Sequence, residues 1–179
     1  MIVYSELDEL LVSLLHANAK VLEIGGVPDG YLSAQNSIDI TRTNVDWLDG
    51  LDCLADAQNL PFSNEEFDLV FMVAVDYYIP DLKKGISEIY RVLKPNGIYV
   101  NATYAKSNLE NQKIRDVYAI HALTTDEYMT MYQNFGFKVG LKKIINNKPL
   151  SKIKSLIWFF FPRYVLLLRS EWRIFICQK

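Results

Sequence analysis

Apolar positions along the chain follow two periods, and their alternation is the first guide to the fold. Leu7, Leu10, Leu11, Leu14 and Leu15 recur at three- and four-residue spacing behind Ser5, which predicts an amphipathic helix over residues 6–17. Residues 21–24 form a short apolar run stopped by Gly25-Gly26; residues 37–40 predict a second strand and residues 52–55 a third. The strongest strand signal is FDLVFMVAV (67–75), nearly continuous, as expected of a parallel sheet covered on both faces. Pro80-Asp81 then opens a helix with the stripe Leu82, Ile86, Ile89 and Leu93. Lys94-Pro95-Asn96-Gly97 predicts its stop, because proline cannot continue a helix and Asn-Gly favours a tight turn.

A fifth strand is expected over residues 98–104. Thr124-Thr125-Asp126-Glu127 is a capping box for a helix that places Tyr128, Met131, Tyr132 and Phe135 on one face and ends at Gly136. Residues 137–145 and 172–177 read as strands on either side of a basic, aromatic segment. Strands alternating with helices, then two terminal strands, give an α/β sandwich on a mainly parallel sheet.

Composition narrows this picture only a little. A chain of 179 residues, half of them hydrophobic, fits one globular domain over 1–179 and excludes a disordered one. Cys53 and Cys177 are far apart and match no metal or redox spacing, so the reading is free thiols in a reducing, cytoplasmic compartment and no metal site. The amino terminus shows no basic-then-apolar secretory pattern. Charge is more telling. The net −2 conceals a balance of −11 over residues 1–137 and +9 over residues 138–179. Either the basic end meets something anionic, or the two ends attract each other within the fold.

Chemistry is expected where a parallel sheet presents the carboxyl ends of its strands. Glu23, Asp39 and Asp56 each fall at or near such an end in this reading. A carboxylate after the second strand can accept from both hydroxyls of a ribose, and one after the third can accept from an adenine amino group. Gly25 and Gly26 let the backbone approach a ligand without a Cβ in the way. Between the first two predicted strands lie only about a dozen residues, near the minimum for a parallel crossover. The glycines there, Gly25, Gly26 and Gly30, do not form the G-x-G-x-x-G turn that seats a pyrophosphate on a helix. The pattern therefore points away from dinucleotides and ATP and toward a nucleoside without phosphates.

Four blocks carry a resemblance: VLEIGG (21–26), SIDIT (37–41), ADAQNLPFSNEEFDLVF (55–71) and EIYRVLKPNGIYV (88–100). Together they resemble the class I S-adenosylmethionine-dependent methyltransferases of the type 11 kind, strongly over residues 21–100 and by pattern alone over 124–178. The resemblance implies a Rossmann-like three-layer sandwich, mainly parallel with an antiparallel C-terminal strand, and S-adenosylmethionine as cofactor. It implies that Glu23, Gly25 and Gly26 line the methionine and ribose side, that Asp39 takes the ribose hydroxyls and Asp56 the adenine amino group. Ala57 would lie against the adenine edge, with Val73 and Ala74 passing beneath the sulfonium. Two departures stand out: Val27 replaces a further glycine, and Val75-Asp76-Tyr77-Tyr78 replaces the usual Val-Leu-Glu-His.

Methyl transfer from a sulfonium is a direct displacement that positioning can accelerate, although an oxygen or nitrogen acceptor can need a base. Asp76 and His121 are the candidates for that base, with Tyr77 and Tyr78 as walls; a surface histidine and packed tyrosines are the plainer alternatives. The segment SLIWFFFPRYVLLL (155–168) is too short and too interrupted to span a bilayer. It reads either as a helix covering the sheet or as an interfacial surface that docks on anionic lipid and suits a lipid-linked acceptor. The expected acceptor is a small or lipid-linked molecule; a nucleic acid is disfavoured because no motif for reaching a flipped base is present. The altered residues at 27 and 76–78 motivate a second reading, a methyltransferase-like binding or scaffold module without turnover.

Overall fold

The structure, a computed structural model, describes residues 2–28, 30–32, 38–104, 120–145 and 171–179. Its sheet has the order β3-β2-β1-β4-β5-β7-β6 among the described residues. The strands are β1 (Lys20–Ile24), β2 (Asp39–Asn44), β3 (Cys53–Leu54), β4 (Phe67–Val73), β5 (Leu93–Tyr104), β6 (Lys138–Ile145) and β7 (Glu171–Gln178). The first five pair in parallel, whereas β7 is antiparallel to both β5 and β6 and is the single reversed strand.

Both faces of this sheet are covered, as the apolar run of β4 requires: Leu69, Val70, Phe71 and Met72 are all essentially buried, alternating between the two sides. One face carries α1 (Ile2–Ser13), whose Leu7 and Leu11 pack with Val21, Leu69, Phe71, Val100 and Trp172. The other carries α2 (Leu82–Val92) and α3 (Thr125–Asn134), which enclose Leu22, Val70, Met72, Tyr99 and Phe175. This is the three-layer arrangement that the periodicities imply.

Helix starts follow local chemistry. Asp81 accepts from the Lys84 amide at the start of α2 (3.0 Å), and Thr124 and Glu127 form the reciprocal capping box of α3. Gly136, at φ +94°, ends α3 in the left-handed region. At the amino ends of the strands, Asp68 gathers the Lys20 amide (2.9 Å), the Lys94 ammonium (2.8 Å) and the His16 ring (3.4 Å), while Lys20 Nζ meets Glu66 at 2.6 Å.

Four boundaries differ from the sequence reading. The first helix, expected over 6–17 behind Ser5, spans Ile2–Ser13, so Ser5 lies within it. Lys94–Gly97 does not separate helix from strand; it belongs to β5, which bends through Asn96 at φ +64° as its register with β4 shifts. β4 stops at Val73, because Ala74 turns into the left-handed region at φ +58°. The largest change is in β2, which begins at Asp39 instead of residue 37 and runs on to Asn44. Its sequence, DITRTN, is too polar to resemble a buried strand, and its Arg42 is tolerated because Glu23 on the neighbouring strand pairs with it. The segment 155–168 lies outside the described residues, as does most of 105–123. Among the described residues no helix is long and apolar enough to cross a membrane, and no group of side chains is placed to hold a metal ion.

Candidate cofactor site

The carboxyl ends of β1 to β4 enclose a cleft of about 320 Å³. Ile24 and Gly25 form its floor; Asn44 and Val45 enter from β2. Residues 55–58, following β3, form one side, and Val75 with Tyr78, Ile79 and Pro80, following β4, form the other. Four successive strand exits thus converge on one opening, the place where open parallel sheets bind ligands.

Gly25 sets the floor. Its φ is +72°, and a Cβ there would stand 2.3 Å from Val75 Cγ2, so only glycine admits this close approach. The next turn is held from below. Glu23 is 5% exposed and lies under the glycine loop, its Cδ 3.0 Å from where a Cβ on Gly26 would sit. Its Oε2 is 3.2 Å from Arg42 Nε, and the same guanidinium donates to the Tyr31 carbonyl at 2.9 Å. Burial pushes the Glu23 carboxyl up to about 7, with Arg42 holding it back from rising further. From α1, Asp8 accepts the Leu32 amide at 2.8 Å. The shortened crossover is therefore clipped by side chains from α1, β1 and β2. Glu23 is engaged as an internal partner of Arg42 and is not among the residues lining the cleft.

The acid expected at the ribose is elsewhere. Asp39 is the first residue of β2, exposed, and pairs with Lys20 at the opposite edge of the sheet, about 16 Å along the strand from Asn44. The strand begins at Asp39 and runs four residues past its expected end at residue 40, and that moves Asp39 from the carboxyl end to the amino end. The side chain that reaches the cleft from β2 is Asn44, whose amide donates to the Gly26 carbonyl at 3.1 Å and whose Oδ1 accepts the Asp46 amide at 3.3 Å. The sequence carries no signal for it except its distance from the true start of the strand.

Asp56 and Ala57 do line the cleft. The Asp56 carboxylate is fixed in a tight turn by Gln58, through its amide at 2.8 Å and its side chain at 3.1 Å, and Ala57 is buried beside it. Val73 and Ala74 lie at the end of β4, but both pack toward the α1 face; the cleft is met by Val75.

Neither candidate base faces the cleft freely. Asp76 is fully buried and accepts a hydrogen bond from the Tyr128 hydroxyl, so it points into the core under α3. His121 Nε2 donates to the carbonyls of Ile79 (2.8 Å) and Pro80 (3.1 Å), which accept only, so that nitrogen carries the ring hydrogen. Together with the Ile120 amide on the Tyr77 carbonyl (2.7 Å), it pins the cleft wall in place. Tyr77 is buried in the core, whereas Tyr78 is half exposed and lines the opening with Val45.

Comparison with known proteins bears directly on this geometry. Residues 33–101 match the model of a methyltransferase domain. The YcgJ protein of Bacillus subtilis superposes with a TM-score of 0.73 over 98% of this chain and 97% of its own, at 13% identity. Phosphoethanolamine N-methyltransferase 2 of Haemonchus contortus, solved with S-adenosyl-L-methionine, superposes with a TM-score of 0.67 over 97% of this chain and 52% of its own, at 18% identity. This chain has the class I methyltransferase fold. Within that fold, the cleft described above lies at the carboxyl edge of the parallel strands. By sequence, a phthiotriol/phenolphthiotriol dimycocerosates methyltransferase of Mycobacterium tuberculosis is 39% identical over 62 residues, 34% of this chain and 23% of that protein. The matching stretch thus spans less than a quarter of that relative's length.

Proposed function

We propose that this chain is a single-domain, S-adenosylmethionine-dependent methyltransferase whose acceptor is a small or lipid-linked molecule. The observation that carries the reading is the floor of the cleft: a left-handed Gly25 in contact with Val75, directly beside the Asp56-Ala57 turn. These residues fit the cofactor. A nucleobase would lie among Val45, Ala57 and Ile79 with Asp56 accepting from its amino group, and the Gly25 backbone would follow the ribose and the sulfur. S-adenosylmethionine, when bound, supplies an electrophilic methyl group that departs by direct displacement.

What the chain supplies is position. Val75 and the His121-pinned wall 77–80 fix one side, and the Glu23–Arg42 pair fixes the glycine loop on the other. Such preorganisation is the main source of catalysis where no protein nucleophile is required. A molecule with an apolar part suits the half-exposed Tyr78 and the exposed Val45 at the mouth, and the relative acting on dimycocerosates is in keeping with it. Docking on anionic lipid through the aromatic segment 155–168 and the basic residues that flank it, among them Lys148, Lys152, Lys154 and Arg169, is part of this proposal; its test is salt-sensitive flotation with acidic liposomes.

Titration calorimetry with S-adenosylhomocysteine tests the cofactor. Micromolar affinity supports the proposal, and no detectable heat sinks it. A second reading, a binding module without turnover, is favoured by one observation: Asp76 is buried against the Tyr128 hydroxyl and so is not placed to take a proton from an acceptor in the cleft. Cofactor binding with no methyl transfer to any of a panel of hydroxyl and amine acceptors would support that module.

A further inference from the structure

The cleft wall 75–80 is backed by a buried polar cluster that the proposed reaction does not use. Asp76, Asn101 and Thr103 are all fully buried, and Tyr99, Tyr128 and Tyr132 close around them. Tyr128 donates to Asp76 Oδ2, and the Asn101 amide donates to the Tyr132 hydroxyl at 2.8 Å. Four oxygens are left over. Asp76 Oδ1, Asn101 Oδ1, Thr103 Oγ1 and the Tyr99 hydroxyl are buried without a close hydrogen-bond partner, and Asn101 and Thr103 stand beside the Asp76 carboxyl.

Asn101 Oδ1 and an ionised Asp76 can only accept, and the one hydrogen of the Thr103 hydroxyl beside them cannot serve both, so a buried acceptor is left unsatisfied at a cost. One added hydrogen removes much of the cost. We propose that Asp76 is a neutral carboxylic acid, with its proton on Oδ1 donated to Asn101 or Thr103, and that this proton latches the cleft wall to α3 and β5. The latch is directional: Oδ2 accepts from α3 while Oδ1 donates to β5, and the backbone of Asp76 continues into Tyr78, Ile79 and Pro80 of the cleft. An ionised Asp76 would have no hydrogen to give and would place a charge among tyrosines.

The surroundings agree. The groups facing Asp76 are Tyr128 and Tyr132 from α3 and Tyr99, Asn101 and Thr103 from β5. Arg173, the cation on this face of β7, stands opposite Thr103 and reaches the Leu123 carbonyl at 3.5 Å. Burial raises the Asp76 carboxyl above its ordinary range even though Tyr128, Thr103 and Asn101 all pull the other way. Asp76 is on this view a positioning residue and cannot serve as the base expected from the sequence.

Infrared spectroscopy of the full chain decides the point at about pH 9, where ordinary carboxyls and Glu23 are ionised. The wild type is expected to show a protonated-carboxyl C=O band that D76N lacks and that Y128F retains at a shifted frequency. A wild type with no such band, or a band unchanged in both variants, overturns the proposal. D76N, whose amide can donate where the acid did, is expected to melt within about 4 °C of the wild type, roughly 1 kcal/mol for a chain of this size. A much larger loss would show that the ionised form is required and would also overturn it. If D76N does not fold, the wild-type band and its shift in Y128F still distinguish the acid from the carboxylate.

Discussion

At the amino edge of the sheet, Asp68 collects a lysine, a histidine and a backbone amide, and Lys20 holds Glu66, each contact joining separate stretches of the chain. At the carboxyl edge the chain instead spends left-handed residues, Gly25 and Ala74, and leaves Val27, Val45, Trp47 and Tyr78 exposed. The one ion pair on that side among the described residues, Glu23–Arg42, is buried beneath the glycine loop and does not face solvent. The first edge closes the sheet with contacts that could be lost one at a time. The second is shaped by a few contacts that have no substitute, as expected where a sheet is kept open for a ligand.

Substitutions at the two edges should therefore differ in size. The largest effect is expected for G25A. The left-handed backbone alone costs an L-residue about 1–2 kcal/mol, and the Cβ must displace Val75. Binding of S-adenosylhomocysteine should fall about 1000-fold, near 4 kcal/mol, by calorimetry.

Next is R42M, which strands the Glu23 carboxylate in the interior at a cost of about 3 kcal/mol by chemical denaturation. This loss should depend on pH. Because burial raises the folded Glu23 carboxyl from 4.5 to about 7, the protonated form is favoured in the native state, and its stabilising share is complete below 4.5 and gone above 7. R42M should accordingly cost most above pH 7, where Glu23 must be charged, and much less near pH 5. Equal losses at both pH values would mean that the arginine acts through packing alone.

A smaller effect separates the two aspartates that the sequence suggests as ligands. D56A should weaken cofactor binding about tenfold, or 1.4 kcal/mol, whereas D39A, at the wrong edge, should leave it unchanged. The reverse result would restore Asp39 to the site. Least of all is D68N. Although burial pushes the Asp68 carboxyl up, the bonds from Lys94 and the Lys20 amide hold it below its ordinary value. Its contribution is therefore present above the unfolded value of 3.8 and is lost as pH falls below it. Partly exposed ion pairs of this kind are worth about 1 kcal/mol or less, so D68N should shift the denaturation midpoint slightly near neutral pH and leave ligand affinity alone.

What the sequence makes legible is whatever is encoded locally. The apolar run of β4, the Thr124–Glu127 capping box and the closing pair of strands lie where periodicity puts them, because each signal depends on neighbours within a few residues. The failures at the site are pairwise facts. β2 is polar because Arg42 is answered by Glu23 nineteen residues earlier, so its true extent and the place of Asn44 at the cleft are invisible in DITRTN itself. Asp76 follows a strand end that looks catalytic, yet Tyr128, 52 residues on, draws it inward. The Asp56-Ala57 turn is readable because its chemistry, an acid bonding to the residue two places on, is again local.

The contact between Gly25 and Val75 makes two distant positions one heritable unit. A side chain gained at the first demands a side chain lost at the second, so the harm done by alanine at 25 should be partly cured by V75A or V75G, with the cost of the backbone angle left over. A genetic screen for second-site revertants would then return to the exit of β4 and not to the glycine loop.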